Sequence, residues 1–334
     1  MKTKRQLRDY YHTKLQEEIH NIKRISTSAQ YPDSFYNQIT LFFLVLGIVL
    51  IYIAFNLPIK EGDDYLFGTI FFFGMISLVS SSMPIAIKNE NVDNKKDAKK
   101  KQYENTVLKK LIHYMDSPLS FHPSRSISKR QAINTHLLDE IRLKRYSGEN
   151  LCIALINNIK VEFSEIHSII NQNNLNTQTS YRNDMLLIAE FPRSFSSKLF
   201  ILPDKNKEVY PGLIGSWLQN NNFTDKNVIK MDNIEFERYF FIYGNDDIEA
   251  RYILTHTVME QLLKIRKKST SDISISFSGG KMNILFPNFG YKNMINSSSN
   301  IEHFEYIRPY IDIIYSILDM ISLLKLDDKI WNKK

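Results

Sequence analysis

Residues 39–57, ITLFFLVLGIVLIYIAFNL, carry no charged side chain, and neither do residues 65–87, YLFGTIFFFGMISLVSSSMPIAI. As helices rising 1.5 Å per residue, these runs reach about 28 and 34 Å, enough for a hydrocarbon core of about 30 Å. A single such run could be the buried helix of a soluble core. Two in tandem with charged borders read as a transmembrane hairpin. A secretory signal fits poorly, because a long polar stretch precedes the first run and both runs exceed a signal core.

Charge sets the expected orientation. Residues 1–37 hold seven Lys/Arg against four Asp/Glu, and residues 88–101 hold six Lys against three acids. The connecting segment 58–64 holds one Lys and three acids. The positive-inside rule then puts both termini in the cytoplasm, as expected of a multi-pass membrane protein. Within the runs there is no Asp, Glu, Lys, Arg or His of the kind that marks an ion or proton pathway, so the hairpin reads as an anchor. Pro84 is a candidate kink, and the absence of Gly-x-x-x-Gly leaves close helix association unsignalled.

Outside the runs the formal net charge of +7 is spread over 334 residues, which is no footprint of a nucleic-acid groove. Cys152 is the single cysteine, so neither an intrachain disulfide nor a multi-cysteine zinc site can form. Leu7, Tyr11, Leu15, Ile19 and Ile22 stripe one helix over 4–25. Tyr103, Val107, Leu108, Leu111, Ile112 and Met115 stripe another. The two are expected to pack together near the membrane, their basic residues within reach of anionic headgroups. Ser117-Pro118 and His122-Pro123 read as a linker.

The C-terminal part reads as α+β with antiparallel hairpins. A turn at Asn157-Asn158 pairs Ile156 with Ile159, Ala154 with Val161 and Cys152 with Phe163, all on one face, so Cys152 is a small core residue. A turn at Gly279-Gly280 pairs Phe277 with Met282, Ile275 with Ile284 and Ile273 with Phe286. Ser274, Ser276, Ser278, Lys281 and Asn283 go to the other side. Further strands are expected at 185–191, 199–202 and 239–243, and helices at 128–138, 246–253, 255–267 and 304–326. Asp246-x-x-Glu249 and Thr257-x-x-Glu260 have capping-box form. The stripe Ile307, Tyr310, Ile314, Ile317, Ile321, Leu324 suits a long C-terminal amphipathic helix packed on the sheet. The expected organisation is a cytoplasmic helix (1–37), the hairpin (38–87), a basic juxtamembrane helix and linker (88–124), a cytoplasmic α+β domain (125–326) and a tail (327–334). Whether 125–204 and 227–326 share one core stays open at this level.

Arg145-Tyr146-Ser147-Gly148-Glu149-Asn150 and Val161-Glu162-Phe163-Ser164-Glu165-Ile166-His167 resemble the opening of a bacterial family, domain of unknown function 3137 (DUF3137). The resemblance continues through Ala189-Glu190-Phe191, Phe195 and Ile201-Leu202-Pro203-Asp204. It is strongest at Phe236-Glu237-Arg238-Tyr239-Phe240 and from Asp246 to Thr255, and closes with Met259-Glu260 and Ser276-Phe277. It covers roughly residues 125–326, with His256 standing where the pattern has Pro at the start of a helix. The resemblance implies two N-terminal spans and an uncharacterised role. It also implies an envelope partner, for which a LemA-like membrane protein is one candidate because family members are encoded near such proteins.

The most chemically suggestive constellation is Asp246, Asp247, Glu249 and Arg251 at a strand-to-helix junction. Three carboxylates so close could hold a hard cation or act as acid and base. Helix capping and a local ion pair explain the same spacing and are the favoured reading. Glu162, Glu165 and His167 fall along one strand and read as a shared, solvated face without a second cluster to complete a metal shell. No catalytic motif occurs, no cofactor is expected, and Ser278-Gly279-Gly280-Lys281 is a hairpin turn lacking the phosphate-loop pattern. The preferred reading is a non-catalytic, membrane-anchored module that binds an envelope protein. The alternatives are a domain binding inner-leaflet lipid or a small ligand, and a membrane-bound enzyme working through Asp246, Asp247 and Glu249.

Overall fold

A computed structural model describes residues 2–27, 33–56, 64–115, 119–138, 140–141, 143–156, 159–171, 179–190, 197–203, 228–269, 272–288 and 301–324. The expected turns at 57–63 and at Asn157-Asn158, the Ser117-Pro118 segment, Phe191, Phe195, Asp204 and the tail lie outside the described residues. The chain divides into two compact units, 17–103 on one side and 1–16 with 104–334 on the other.

In the 17–103 unit, α2 (Gln16–Thr27), α3 (Asp33–Asn56), α4 (Asp64–Ser80) and α5 (Met83–Tyr103) follow one another. Ser34–Asn56 and Tyr65–Glu90 are long and apolar enough to cross a membrane, with only 11% and 17% of their apolar windows buried. The core helix of a soluble protein would be mostly buried. Here Leu41, Phe42, Tyr52, Phe72 and Val79 face outward, the exposure expected of helices that meet lipid. The two candidate spans approach closely at two glycines. A Cβ on Gly74 would lie 2.8 Å from the Ile51 side chain, and one on Gly47 would lie 2.7 Å from Leu78. Ser77 Oγ donates to the Phe43 carbonyl at 2.8 Å beside this contact. Small residues on separate helices thus do what a Gly-x-x-x-Gly motif does within one.

The second span ends differently from expectation. Rather than kinking at Pro84, the helix breaks at Ser81-Ser82, whose hydroxyls donate to the Leu78 and Val79 carbonyls. Pro84 falls in the first turn of α5, where its missing N–H removes no helical hydrogen bond. The basic stretch after it belongs to the same helix, which runs to Tyr103.

The larger unit holds a nine-stranded, wholly antiparallel sheet: β1 (Leu119–His122), β2 (Leu143–Ile156), β3 (Ile159–Asn171), β4 (Thr179–Glu190), β5 (Leu199–Pro203), β6 (Val228–Ile229), β7 (Phe240–Gly244), β8 (Ser274–Ser278) and β9 (Lys281–Phe286). The order is β1-β2-β3-β4-β9-β8-β5-β7-β6. The late β8–β9 hairpin is inserted between β4 and β5, so 125–204 and 227–326 share one sheet. Residues 119–122, expected in a linker, are its edge strand. Both hairpin registers read from the sequence are present, from Cys152 opposite Phe163 to Phe277 opposite Met282, although β8 begins at Ser274, just after Ile273. Gly279 and Gly280 take φ of +55° and +71°, as a two-residue primed turn requires.

One row of side chains crosses every strand: Phe121, Cys152, Phe163, Leu187, Ile284, Ile275, Ile201, Ile242 and Ile229. All are buried. The opposite face is covered as well. Leu151, Ile166, Leu186, Phe200 and Leu285 pack with Ile127, Ala132, Leu137 and Leu138 from α7 (Lys129–Asn134) and the turns around it. This second layer buries Ser274, Ser276 and Asn283, on the opposite side of the hairpin from Phe277 and Ile284. Their hydrogen bonds are internal, with Ser276 Oγ donating to the Thr135 carbonyl and Asn283 Nδ2 to Ser276 Oγ. Helix α7 is shorter than expected because Thr135 and a left-handed His136 (φ +58°) end it, yet Leu137 and Leu138 stay in the core.

The remaining helices are α1 (Lys4–Lys14), a π-helical turn (Glu104–Leu108) running into α6 (Lys109–Tyr114), α8 (Ile234–Tyr239), α9 (Asp247–Ile253), α10 (His256–Lys268) and α11 (Phe304–Leu324). The expected single helix over 4–25 is interrupted at Leu15. Its first part packs as anticipated, since Tyr10 stacks on Tyr114 and the Lys2 amide donates to the Met115 carbonyl. It also meets α11, where Lys4 pairs with Asp312 at 2.5 Å and Tyr11 lies edge-on to Phe304. In α11, Ile307, Tyr310, Ile314 and Ile317 are buried as the stripe predicts.

Candidate functional site

The acidic junction is fully engaged in local structure. Asp246 caps α9 by accepting from the Ile248 and Glu249 amides, both at 2.9 Å. Asp247 accepts from Arg251 Nε at 3.1 Å, one turn along the helix. Arg251 also donates to the Lys230 carbonyl at 2.8 Å. Glu249 does not close a capping box. It turns to the chain before β5, accepting from the Ser197 amide at 2.8 Å and from the Ser197 hydroxyl. Thr257 caps nothing either, because Thr255 is the N-cap of α10 and His256, the first helical residue, pairs with Glu260 at 3.2 Å. The junction thus pins elements together and converges on no common point.

Beside it lies a groove of about 600 Å³. Its floor is Met231, Leu254, Met259 and Leu263, and Ile234 stands on its wall with 73% of its surface exposed. Asp232, Glu235 and Glu260 outnumber Arg251 and His256 among its charged lining. Arg251, Leu254 and Thr255, from the stretch of strongest resemblance, are part of its lining. Glu237 holds the Met231 amide at 2.8 Å, and Arg251 holds the Lys230 carbonyl.

A second constellation was not legible in the sequence. A β-bulge between Glu149 and Cys152 puts Asn150 into the left-handed region at φ +59°, with its side chain wholly buried. Its Nδ2 donates to Glu104 Oε1 at 2.9 Å and to Glu165 Oε1 at 3.0 Å. Glu104 sits in the π-helical turn and Glu165 on β3, and both carboxylates are buried. Glu165 stands opposite Glu149, and His167 opposite Asn183. The imidazole spans them, Nε2 at 2.9 Å from Glu149 Oε1 and Nδ1 at 2.8 Å from Asn183 Oδ1. The expected solvated face is therefore wrong in two ways. Glu162 lies on the other side of β3 from Glu165 and His167, bonded to Lys160 and Gln131, and Glu165 is only 1% exposed. Cys152, two residues along, is a core thiol as expected, pushed up in pKa by burial and joined to Tyr310.

His167 titrates above the ordinary imidazole value. Burial opposes this, but the hydrogen bonds to Glu149 and Asn183 and the charges of Glu149 and Glu165 outweigh it. A base whose folded pKa is raised contributes stability that is complete below its unfolded value, about 6.5, and fades as pH rises through the folded value. Wild-type protein is accordingly expected to melt higher than His167→Gln at pH 6, with the gap narrowing as pH rises past the ordinary imidazole value. Thermal melts across that range check it, and a constant gap would show that charge plays no part.

Residues 184–326 match a family described as "Protein of unknown function (DUF3137)". The match contains the groove and the acidic junction, and begins after Glu149, Glu165 and His167. No curated protein matches the chain in sequence. Among solved structures, the mycobacterial trehalose monomycolate transport factor A, TtfA, is similar at 7% identity and a TM-score of 0.28, covering 61% of this chain and 88% of that one. At that score the likeness carries nothing about function.

Proposed function

We propose, for a chain whose residues 184–326 carry the DUF3137 family signature, that it is a membrane-anchored, non-catalytic protein whose soluble domain holds a protein partner at the bacterial inner membrane. Two helices long and apolar enough to cross a membrane support an anchoring hairpin, and the lysine-rich flanks favour an orientation with both termini in the cytoplasm. The observation that carries the binding role is the groove. An apolar floor beneath an acidic rim is the usual build of a peptide-recognition site, the floor giving affinity and the rim orientation. Its chemistry fits a segment that presents an apolar side chain next to Lys or Arg. The carboxylates of the acidic junction support the groove instead of reacting, since each is already committed to a cap, an ion pair or Ser197.

The test uses the full chain in lipid nanodiscs taken from its native membrane. Proteins retained by the wild type are compared with those retained by Ile234→Asp and by Glu235→Lys/Glu260→Lys. All three positions are exposed enough to change without unfolding the domain. One partner lost at least tenfold from both variants, with melting temperature unchanged, is the expected result. Equal retention by all three proteins overturns the groove as the binding site. A wild type that instead keeps a stoichiometric lipid replaces the partner reading with a lipid one.

A further inference from the structure

The groove between Met231 and Leu263 has an occupant of fitting chemistry in the chain itself, an inference that rests on reading the groove as a peptide-binding site. Helix α11 is described to Leu324, and residues 325–334, KLDDKIWNKK, follow it outside the described residues. Ile330-Trp331 stands there between Lys329 and the pair Lys333-Lys334, with no acid from 329 to 334. An apolar anchor flanked by lysines is what an apolar floor beneath an acidic rim selects. Two floor residues are Met231 and Met259, whose thioethers make favourable contacts with aromatic rings. The rim has charge to offer as well. The Asp232 side chain is fully exposed and meets Arg251 only at 3.8 Å, while Arg251 also pairs with Asp247. Glu235 and Glu260 stay about half exposed beside Lys267 and His256.

The distance is short enough. Helix α11 packs against α10, and α10 against α8. Ile234 and Glu235 of α8 line the groove, with His256, Met259, Glu260 and Leu263 of α10. One helix therefore separates α11 from the groove. Extended chain covers about 3.3 Å per residue, so Trp331, seven positions past Leu324, reaches about 23 Å. That crosses α10, about 10–12 Å wide, with room to shift along its length of about 20 Å. We propose that Trp331, with Ile330 beside it, docks in the groove of its own chain, Lys329, Lys333 and Lys334 at the rim, and competes there with the partner. A short covalent connection gives an effective concentration on the order of millimolar. A segment too weak to bind as a free peptide is then still bound, and a partner must bind correspondingly tighter to displace it.

The test uses the full chain in detergent. Trp217 and Trp331 are its two tryptophans, so Trp217→Phe leaves Trp331 as the sole reporter. Its emission and its quenching by acrylamide are measured alone and with Ile234→Asp or Glu235→Lys/Glu260→Lys added. The expected result is blue-shifted emission that moves to the red in both groove variants, with quenching rising at least threefold and melting temperature unchanged. Ile330→Asp should redden the emission too, and keeps the test decisive if a groove variant unfolds. Identical emission and quenching with and without these changes overturn the proposal. So does a blue shift that disappears on dilution, which would put the tail of a second copy in the groove. The partner reading is judged separately, by the proteins retained, and its failure leaves the Trp331 result intact. Where a partner is retained, a chain lacking residues 327–334 should hold at least threefold more of it, and equal retention overturns the competition.

Discussion

Replacing Asn150 with Ala is expected to destabilise the domain by at least about 4 kcal/mol, a large share of the 5–15 kcal/mol that holds a typical domain together. Two hydrogen bonds to buried carboxylates disappear together, each worth about 1.5–3 kcal/mol when the partner is charged. Alanine must also hold φ at +59°, a conformation that costs a residue with a Cβ about 1–2 kcal/mol. The two causes separate experimentally. Asn150→Gly removes the amide but tolerates the backbone, so it should recover about 1 kcal/mol of the loss and no more. Denaturant titration of the three proteins, followed by circular dichroism, gives the comparison. If Asn150→Ala lost less than about 1 kcal/mol, Glu104 and Glu165 would be held without the amide, and the bridge would be incidental.

The contrast between what the sequence announces and what it conceals follows from the range of the forces involved. Hydrophobic alternation is local, so the pairings of Cys152 with Phe163 and Phe277 with Met282 follow from a few residues and a turn. The two long apolar helices are legible for the same reason. Strand order is not, because nothing near Phe277 or Met282 reveals that their hairpin will separate β4 from β5. That the side of Ser276 and Asn283 is buried is equally invisible locally, because their partners are Thr135 and each other. The buried polar row hides for a different reason. Asn150 in mid-strand looks like a weak strand former, and only the bulge turns it towards Glu104, more than forty residues upstream. The parity of β3 held one clue: Glu165 and His167 share the side of Phe163, which the first hairpin had already assigned to the core. At the acidic junction, capping at Asp246 was legible, whereas the reach of Glu249 to Ser197 depends on where β5 lies and was not.

Gly148 offers a prediction whose sign, and not only its size, is diagnostic. In an ordinary strand, replacing glycine by alanine gains roughly 0.5–1 kcal/mol, because less backbone entropy is lost on folding. At Gly148 the added Cβ would lie 2.4 Å from the Glu165 carbonyl oxygen and 2.7 Å from the Ser126 Cβ. The first obstacle is backbone, which has no rotamer to escape into, so β2 and β3 must separate where Gly148 faces Ile166. That separation pulls Glu149 from its place opposite Glu165 and strains the bulge at Asn150. Gly148→Ala should therefore cost more than about 3 kcal/mol, and Gly148→Val should prevent folding of the domain. Gly279→Ala is the proper comparison. It has open space around its Cβ and suffers only from its φ of +55°, so it should lose about 1 kcal/mol. Equilibrium unfolding of the two alanine variants side by side tests the point. Equal losses would mean that the strands yield at Gly148, and that the close approach carrying Glu149 and Asn150 towards Glu165 is soft enough to do without glycine.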